Sequence, residues 1–204
     1  MKRVHYFSGL FITAFIGLHL FNHLMALSGP ERHISIMESL RLVYRNPVVE
    51  LTLLLAVVVQ VISGLRLMVK RWQKSTSFFE RLQLWSGLYM AFFLLFHVAA
   101  VCVGRMVLDL DTNIYFGAAG LNAFPACLFF IPYYSLAILA FFGHVAAIHT
   151  LKMKNCIGDL RARRQGKVIL LMGFIVTVLC FYGLTNGFVG MDIPSEYGVL
   201  TGEG

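Results

Sequence analysis

The sequence predicts an all-α membrane protein with five transmembrane helices, the first four forming a bundle from two tandem hairpin repeats. Three observations support this fold: long uncharged stretches, an alternating distribution of basic residues, and an internal repeat. Of the 204 residues, 58% are hydrophobic and 13% are charged, whereas a soluble domain carries about 25% charged residues. A very apolar soluble bundle is the disfavoured alternative, because a helix covered by water needs a polar face.

The uncharged stretches place the helices in order along the chain. Each stretch can supply the ~20 apolar residues that cross a hydrocarbon core. No Lys, Arg, Asp or Glu occurs in 4–30, 82–104, 112–151 and 168–191, and 46–65 contains only Glu50. We predict spans at 5–27, 47–69, 82–106, 124–150 and 168–189. The bundle then occupies 1–190, and the glycine-containing segment 191–204 is expected to be an extramembrane tail.

The connections between the spans contribute less regular structure. The first connection mixes acidic and basic side chains, and we expect a short interfacial helix around 34–44. The third connection, 107–123, gives no clear pattern. Pro47 and Pro125 fall at the predicted starts of spans two and four, where proline is tolerated because the first helical N–H needs no partner.

Basic residues are concentrated at the N-terminus and in the second and fourth connections. They are Lys2, Arg3, Lys70, Arg71, Lys74, Arg81, Lys152, Lys154, Arg161, Arg163, Arg164 and Lys167. This alternation fits the positive-inside rule with the N-terminus in the cytoplasm and the C-terminus outside a bacterial-type inner membrane. The net charge of +7 is therefore explained by membrane topology, and the basic connections could also form a docking surface for a cytoplasmic partner. No nucleic-acid partner is expected.

One motif occurs twice, at positions displaced by 78 residues. Its first copy is Ser8-Gly9-Leu10, Phe15 and His19, and its second copy is Ser86-Gly87-Leu88, Phe93 and His97. Within each copy the serine, the phenylalanine and the histidine lie on one helix face, because eleven residues make about three turns. Gly9 and Gly87 would allow close approach of a flat macrocycle or of a neighbouring helix. The repeat predicts that spans one and three run in the same direction.

His19 and His97 are the leading candidates for chemistry. A histidine inside a membrane span is costly, so its first interpretation is functional. Two neutral imidazoles at matching depth, toward the outer face, would supply two axial ligands to one haem iron, which favours electron transfer because no coordination position stays open. The alternative is a pair of core histidines hydrogen-bonded to carbonyls or to each other. No C-x-x-C-H motif occurs, so haem would be bound non-covalently.

Four further polar residues lie in or near the spans. His144 in span four is a ligand candidate, but Gln60 lies at the matching depth of span two and an amide is a poor iron ligand. His23 could hold a haem propionate or a quinone oxygen, or be an ordinary interfacial residue. Glu50 could exchange protons with a quinone if it is buried, or lie at the headgroup level.

Several short segments resemble, in order and spacing, the five-helix cytochrome b subunits of succinate dehydrogenases and fumarate reductases. They are His19-Leu20-Phe21-Asn22-His23, Met37-Glu38-Ser39-Leu40, Arg81-Leu82-Gln83-Leu84-Trp85-Ser86-Gly87 and Phe142-Gly143-His144. The resemblance implies an outer haem b held by His19 and His97. It implies an inner haem at Gln60 and His144, where this chain departs from the pattern, so one haem is expected.

The resemblance also implies partners and a role. A flavoprotein and an iron–sulfur subunit would dock on the cytoplasmic side, and electrons would pass to or from menaquinone or ubiquinone in the membrane. The chain would then be a non-autonomous subunit of a quinone-linked oxidoreductase. Two other hypotheses stay open: a standalone haem b electron carrier, and a haem-free membrane scaffold or transporter that has the same fold.

Overall fold

Helices make up most of the protein. A computed structural model describes residues 1–202, and no β-strand occurs within that range. The α-helices are α1 (Lys2–Met25), α2 (Pro30–Tyr44), α3 (Pro47–Arg71), α4 (Phe78–Met106), α5 (Ile114–Asn122), α6 (Cys127–Ile157) and α7 (Asp159–Leu184). Five of them, α1, α3, α4, α6 and α7, are long and apolar enough to cross a membrane. The predicted all-α fold with five membrane helices is confirmed.

Local sequence determines where the membrane helices begin. Asn46 caps α3 by accepting a hydrogen bond from the Val48 amide at 3.1 Å, and Pro47 is the first helical residue. A capping box starts α4, in which the Ser77 hydroxyl accepts from the Glu80 amide and the Glu80 carboxylate accepts from the Ser77 amide. Gly158 separates α6 from α7 with a φ of +87°, a backbone conformation that favours glycine.

Each membrane helix extends past one end of its predicted span, and three of them, α1, α6 and α7, are shorter than predicted at the other end. The fifth span was predicted at 168–189, but α7 begins nine residues earlier, at Asp159, and ends at Leu184. Its first turns carry charged side chains. A hydropathy criterion leaves such residues out of a predicted span, but they can still be helical where the helix leaves the apolar core. After Leu184 the chain turns through Asn186 and Gly187, both with positive φ.

The membrane helices form a closed ring. α1 packs against α3, and α4 packs against α6, so both predicted hairpins form. α3 also packs against α4, and α7 completes the ring between α6 and α1. Small residues permit these close contacts, as is usual between membrane helices. An added methyl group would overlap Phe142 at Gly173 and Ala26 at Gly183.

The two ends of the ring differ in character. The N-terminus and the α3–α4 and α6–α7 connections lie at one end, which we call the basic end because of its lysines and arginines. α2, α5 and the segment after α7 lie at the other, which we call the capped end. There, Ile114, Leu121, Leu184 and Met191 form one buried cluster. The Tyr197 side chain is fully buried.

The third connection, which gave no clear sequence pattern, and the segment expected to be an extramembrane tail both pack into the capped end. The third connection forms α5, whose first turn is capped by the Asn113 side chain accepting from the Tyr115 amide at 2.9 Å. In the C-terminal segment, a 3-10 turn at Ser195–Leu200 places the Tyr197 hydroxyl 2.9 Å from the Asp111 carbonyl oxygen, to which it donates. Positions 203 and 204 of the expected tail lie outside the described residues.

The α6–α7 contact should be sensitive to a single methyl group. In Gly173→Ala the new methyl would overlap the Phe142 Cβ, which cannot move independently of its backbone. Overpacking of this kind costs about 1–3 kcal/mol, so we expect a lower midpoint of thermal unfolding in detergent. Gly17→Ala is the control, because nothing lies within 4 Å of a Cβ at that position. Equal midpoints for the two variants would contradict the packing described.

Candidate functional site

The structure brings His19 and His97 together across the interior of the ring. Their ring centres are 6.0 Å apart and their planes are inclined by 63°. Each imidazole stacks on the phenylalanine four residues before it, at 6.0 Å for Phe15 and His19 and 5.0 Å for Phe93 and His97. The two copies of the repeat therefore meet at their histidines, each positioned by its own helix.

The separation of these two rings suits a shared axial metal. A metal–imidazole bond is about 2 Å long, and the ring centre lies about 1 Å beyond the nitrogen, so two axial imidazoles have centres about 6 Å apart. A cavity of about 20 Å³ adjoins His19, and its lining includes Tyr44 and Leu40. That volume is close to that of one water molecule. Imidazole nitrogens are donors that a haem iron accepts, and insertion of the macrocycle would require α1 and α4 to move apart.

Two more histidines join this pair. His23 Nε2 lies 3.1 Å from His19 Nε2, and the two share a hydrogen bond. The ring of His33, which α2 supplies, has its centre 5.3 Å from that of His23. Asn22 Nδ2 lies 3.1 Å from His33 Nε2. We call His19, His23, His33 and His97 the histidine cluster.

Sequence reasoning missed His33 and Asn22 as members of this site. His33 lies in a connection, and only the packing of α2 over the end of α1 buries it. Its burial, together with the charges of His19 and Arg41, lowers its pKa to about 4, so the His33 imidazole is neutral at pH 7. Asn22 is a polar residue in an uncharged stretch. This position inside a predicted span is the one sequence feature that could have indicated its membership of the site.

Several buried polar atoms in and beside the cluster have no hydrogen-bond partner within residues 1–202. They are Asn22 Oδ1, His23 Nδ1, His33 Nδ1 and Arg41 Nε. A buried polar group without a partner costs about 1–3 kcal/mol, and four of them at one end of the bundle are unusual. Within residues 1–202, no three His, Cys, Asp or Glu side chains are arranged to hold one metal ion. The described residues therefore place the histidine pair beside several buried polar atoms without a partner.

Ser8, Gly9, Ser86 and Gly87 lie at a second site, toward the basic end. The helical rise places Ser8 about 16 Å from His19 along α1. Ser8 Oγ donates to Gln60 Oε1 at 2.6 Å. In the second copy, Ser86 Oγ and His144 Nδ1 are 3.1 Å apart. Gln60 and His144 are thus equivalent in the two repeats, as their depth predicts.

The two motif glycines accommodate these side chains. A Cβ at Gly9 would lie 3.0 Å from Gln60 Nε2, and one at Gly87 would lie 3.1 Å from His144 Cε1. Of the two roles expected for the glycines, the structure shows close approach of a neighbouring helix. His144 also lies 3.1 Å from the Gln83 carbonyl oxygen, so it has the contacts of a hydrogen-bonded core histidine.

His5, which the sequence left without a role, completes the second site. His5 Nδ1 lies 2.9 Å from Ser63 Oγ, and Gln60 Nε2 lies 3.4 Å from His5 Nε2. Position 83, displaced from His5 by the repeat offset of 78, is Gln83, which contacts His144 only through its backbone carbonyl. Gln60 and His144 correspond because each is bonded to the motif serine of its copy, although 84 positions separate them.

Glu50 forms an ion pair with Arg105 of α4, and both side chains are about one-third exposed. The Glu50 carboxylate is therefore already engaged by a guanidinium. Nearby, Arg41 binds Asp111 at 2.7 Å, and Arg45 lies 3.8 Å from the same carboxylate. Three arginines at this end of the bundle, Arg41, Arg45 and Arg105, are thus paired with acidic residues of the chain.

The Asp111 carboxylate should make stability depend on pH. Burial raises its pKa, but hydrogen bonds and charge from Arg41 outweigh that effect and hold the pKa below its usual value. Because the folded-state pKa is lowered, this stabilisation is present above the unfolded pKa of about 4 and is lost as pH falls through the folded pKa. Thermal unfolding between pH 3 and pH 7 should therefore show a steeper acid-side loss for the wild type than for Asp111→Asn. Parallel curves would count against this role.

The site thus consists of a histidine pair flanked by polar groups near the capped end, and a serine–glutamine–histidine network near the basic end. No protein-family model, curated protein or solved structure matches the chain.

Proposed function

We propose that this chain is the membrane-anchoring cytochrome b subunit of a complex like succinate dehydrogenase or fumarate reductase. It would carry electrons between a flavoprotein and iron–sulfur pair at the basic end and menaquinone or ubiquinone in the membrane. The observation that supports this proposal is the placement of His19 and His97, whose rings lie 6.0 Å apart across the bundle. The proposed location is a bacterial-type inner membrane, with the basic end in the cytoplasm.

His19 and His97 would hold the iron of one haem b. The group supplies reversible one-electron chemistry when it is bound. Phe15 and Phe93 keep the two imidazoles oriented by stacking on them. The surrounding apolar helices exclude water, which favours neutral imidazoles with lone pairs available for a metal.

His23 has a second role in this proposal. His19 Nε2 cannot bind iron and keep its hydrogen bond to His23 at the same time, so ligation would release His23 Nε2. His23 Nδ1 has no hydrogen-bond partner among the described residues. His23 could then hold a propionate or a quinone oxygen, whereas Glu50 is already paired with Arg105. A single haem is proposed because Gln60 occupies the position equivalent to His144.

Two other functions have an observation in their favour. The histidine pair lies toward the capped end, far from the docking face at the basic end, and this placement favours a standalone haem b carrier that exchanges electrons at the capped end. The cavity of about 20 Å³ and the direct contact between His19 and His23 favour a haem-free scaffold or transporter with the same fold.

A reduced-minus-oxidised spectrum of protein produced with ample haem supply tests the proposal. We expect one low-spin b haem per chain. His19→Ala and His97→Ala should lose it, because each removes one of two axial ligands. His144→Gln is the matched control, since glutamine already occupies the equivalent position in the first repeat, and it should retain the haem.

Other outcomes would distinguish the alternatives. Two haems per chain would show that His144 binds a second haem iron together with another residue, and that the proposed single haem is wrong. The absence of a Soret band in the wild type would reject the cytochrome and favour the haem-free bundle. Haem without co-purifying flavoprotein and iron–sulfur subunits would favour the standalone carrier.

A further inference from the structure

A cavity opens at the basic end, where the connection from α3 leads into α4. Its volume is about 450 Å³, and its lining consists of Thr76, Phe78, Arg81, Leu82 and Trp85. α4 begins at Phe78, and its uncharged stretch begins at residue 82. The cavity therefore lies at the boundary between the hydrocarbon core and the headgroup layer.

The apolar part of the cavity is aromatic and open. Phe78 is 64% exposed and Trp85 is 59% exposed. Trp72, at the end of α3, packs edge-on against Trp85 with ring centres 5.2 Å apart. Tryptophan is enriched at the membrane interface, where its ring contacts acyl chains and its N–H faces the headgroups. These aromatic side chains therefore suit contact with the part of a lipid acyl chain that lies next to the headgroup.

The polar part of the cavity is cationic. Arg81 makes no ion pair within residues 1–202. Arg71, at the end of α3, donates to Gln83 Oε1 of α4 at 3.5 Å, so a second guanidinium lies on the same connection although it is not part of the lining. The neighbouring acid, Glu80, is engaged by the amides of Thr76 and Ser77 at 3.1 and 3.0 Å. The lining itself contains no acidic residue, so the cavity complements a negative charge.

We propose that this cavity binds an anionic phospholipid of the surrounding bilayer. The Arg81 guanidinium and the Thr76 hydroxyl bind the headgroup phosphate, and Phe78, Leu82 and Trp85 contact the acyl chains. Basic pockets between membrane helices bind anionic headgroups in this way. The inference uses no residue of the histidine cluster and is independent of the proposed haem.

The two tryptophans make the cavity directly observable. Trp72 and Trp85 are the only tryptophans in the chain, so intrinsic fluorescence reports on this location alone. The protein is reconstituted in vesicles of phosphatidylcholine that contain a small fraction of brominated phosphatidylglycerol or, for comparison, brominated phosphatidylcholine. We expect the brominated anionic lipid to quench tryptophan fluorescence with an apparent affinity about fivefold higher than that of the brominated zwitterionic lipid. One interfacial arginine contributes roughly this preference for an anionic headgroup.

Matched variants separate a site from general attraction to the basic end. Arg81→Gln should abolish the preference for the anionic lipid, whereas Arg161→Gln, an exposed arginine at the same end, should retain it. Both variants keep the two tryptophans, and equal helicity confirms that they fold. Equal quenching by the two lipids in the wild type, or equal loss in both variants, would overturn the proposal. High salt should weaken the preference because it screens the headgroup charge.

Discussion

The arrangement of this bundle depends on the need of each polar side chain in the membrane interior to find a partner. Without water, an unsatisfied polar group costs several kcal/mol, so buried polar residues select which helices can be neighbours. Ser8 and Gln60 join α1 to α3, and Ser86 and His144 join α4 to α6. These bonds occur at equivalent places in the two repeats, which fixes the register of both hairpins in the same way.

The divergence of the two repeats follows from the same constraint. The first copy combines the side chains of His5 and Gln60, whereas in the second copy Gln83 contacts His144 only through its backbone carbonyl. In each copy the motif serine is bonded to one long polar side chain, Gln60 in the first and His144 in the second. Both copies therefore keep a hydrogen bond to the motif serine, because an imidazole and an amide can each make one. The two copies differ in metal-binding chemistry, since only the imidazole binds iron well.

Hydropathy predicted the five membrane helices because length and apolarity alone decide whether a segment can span a bilayer. The repeat predicted that His19 and His97 would meet. Helix α5 and the burial of Tyr197 could not be predicted, because both depend on contacts between segments distant in the chain. His33 was missed for the same reason, since nothing in its local sequence distinguishes a buried histidine from one in an exposed connection.

The capped end gives the histidine cluster its chemical character. α2 lies across the ends of the membrane helices, where Tyr44 contacts Phe15 with ring centres 5.6 Å apart and His33 reaches Asn22. Arg41 ties α2 to Asp111, and Tyr197 binds the carbonyl of the same residue. This cap covers the histidine cluster at this end of the bundle, and removal from water favours the neutral form of an imidazole. Neutral imidazoles can bind a metal or accept a hydrogen bond, so the cap keeps the cluster competent for either.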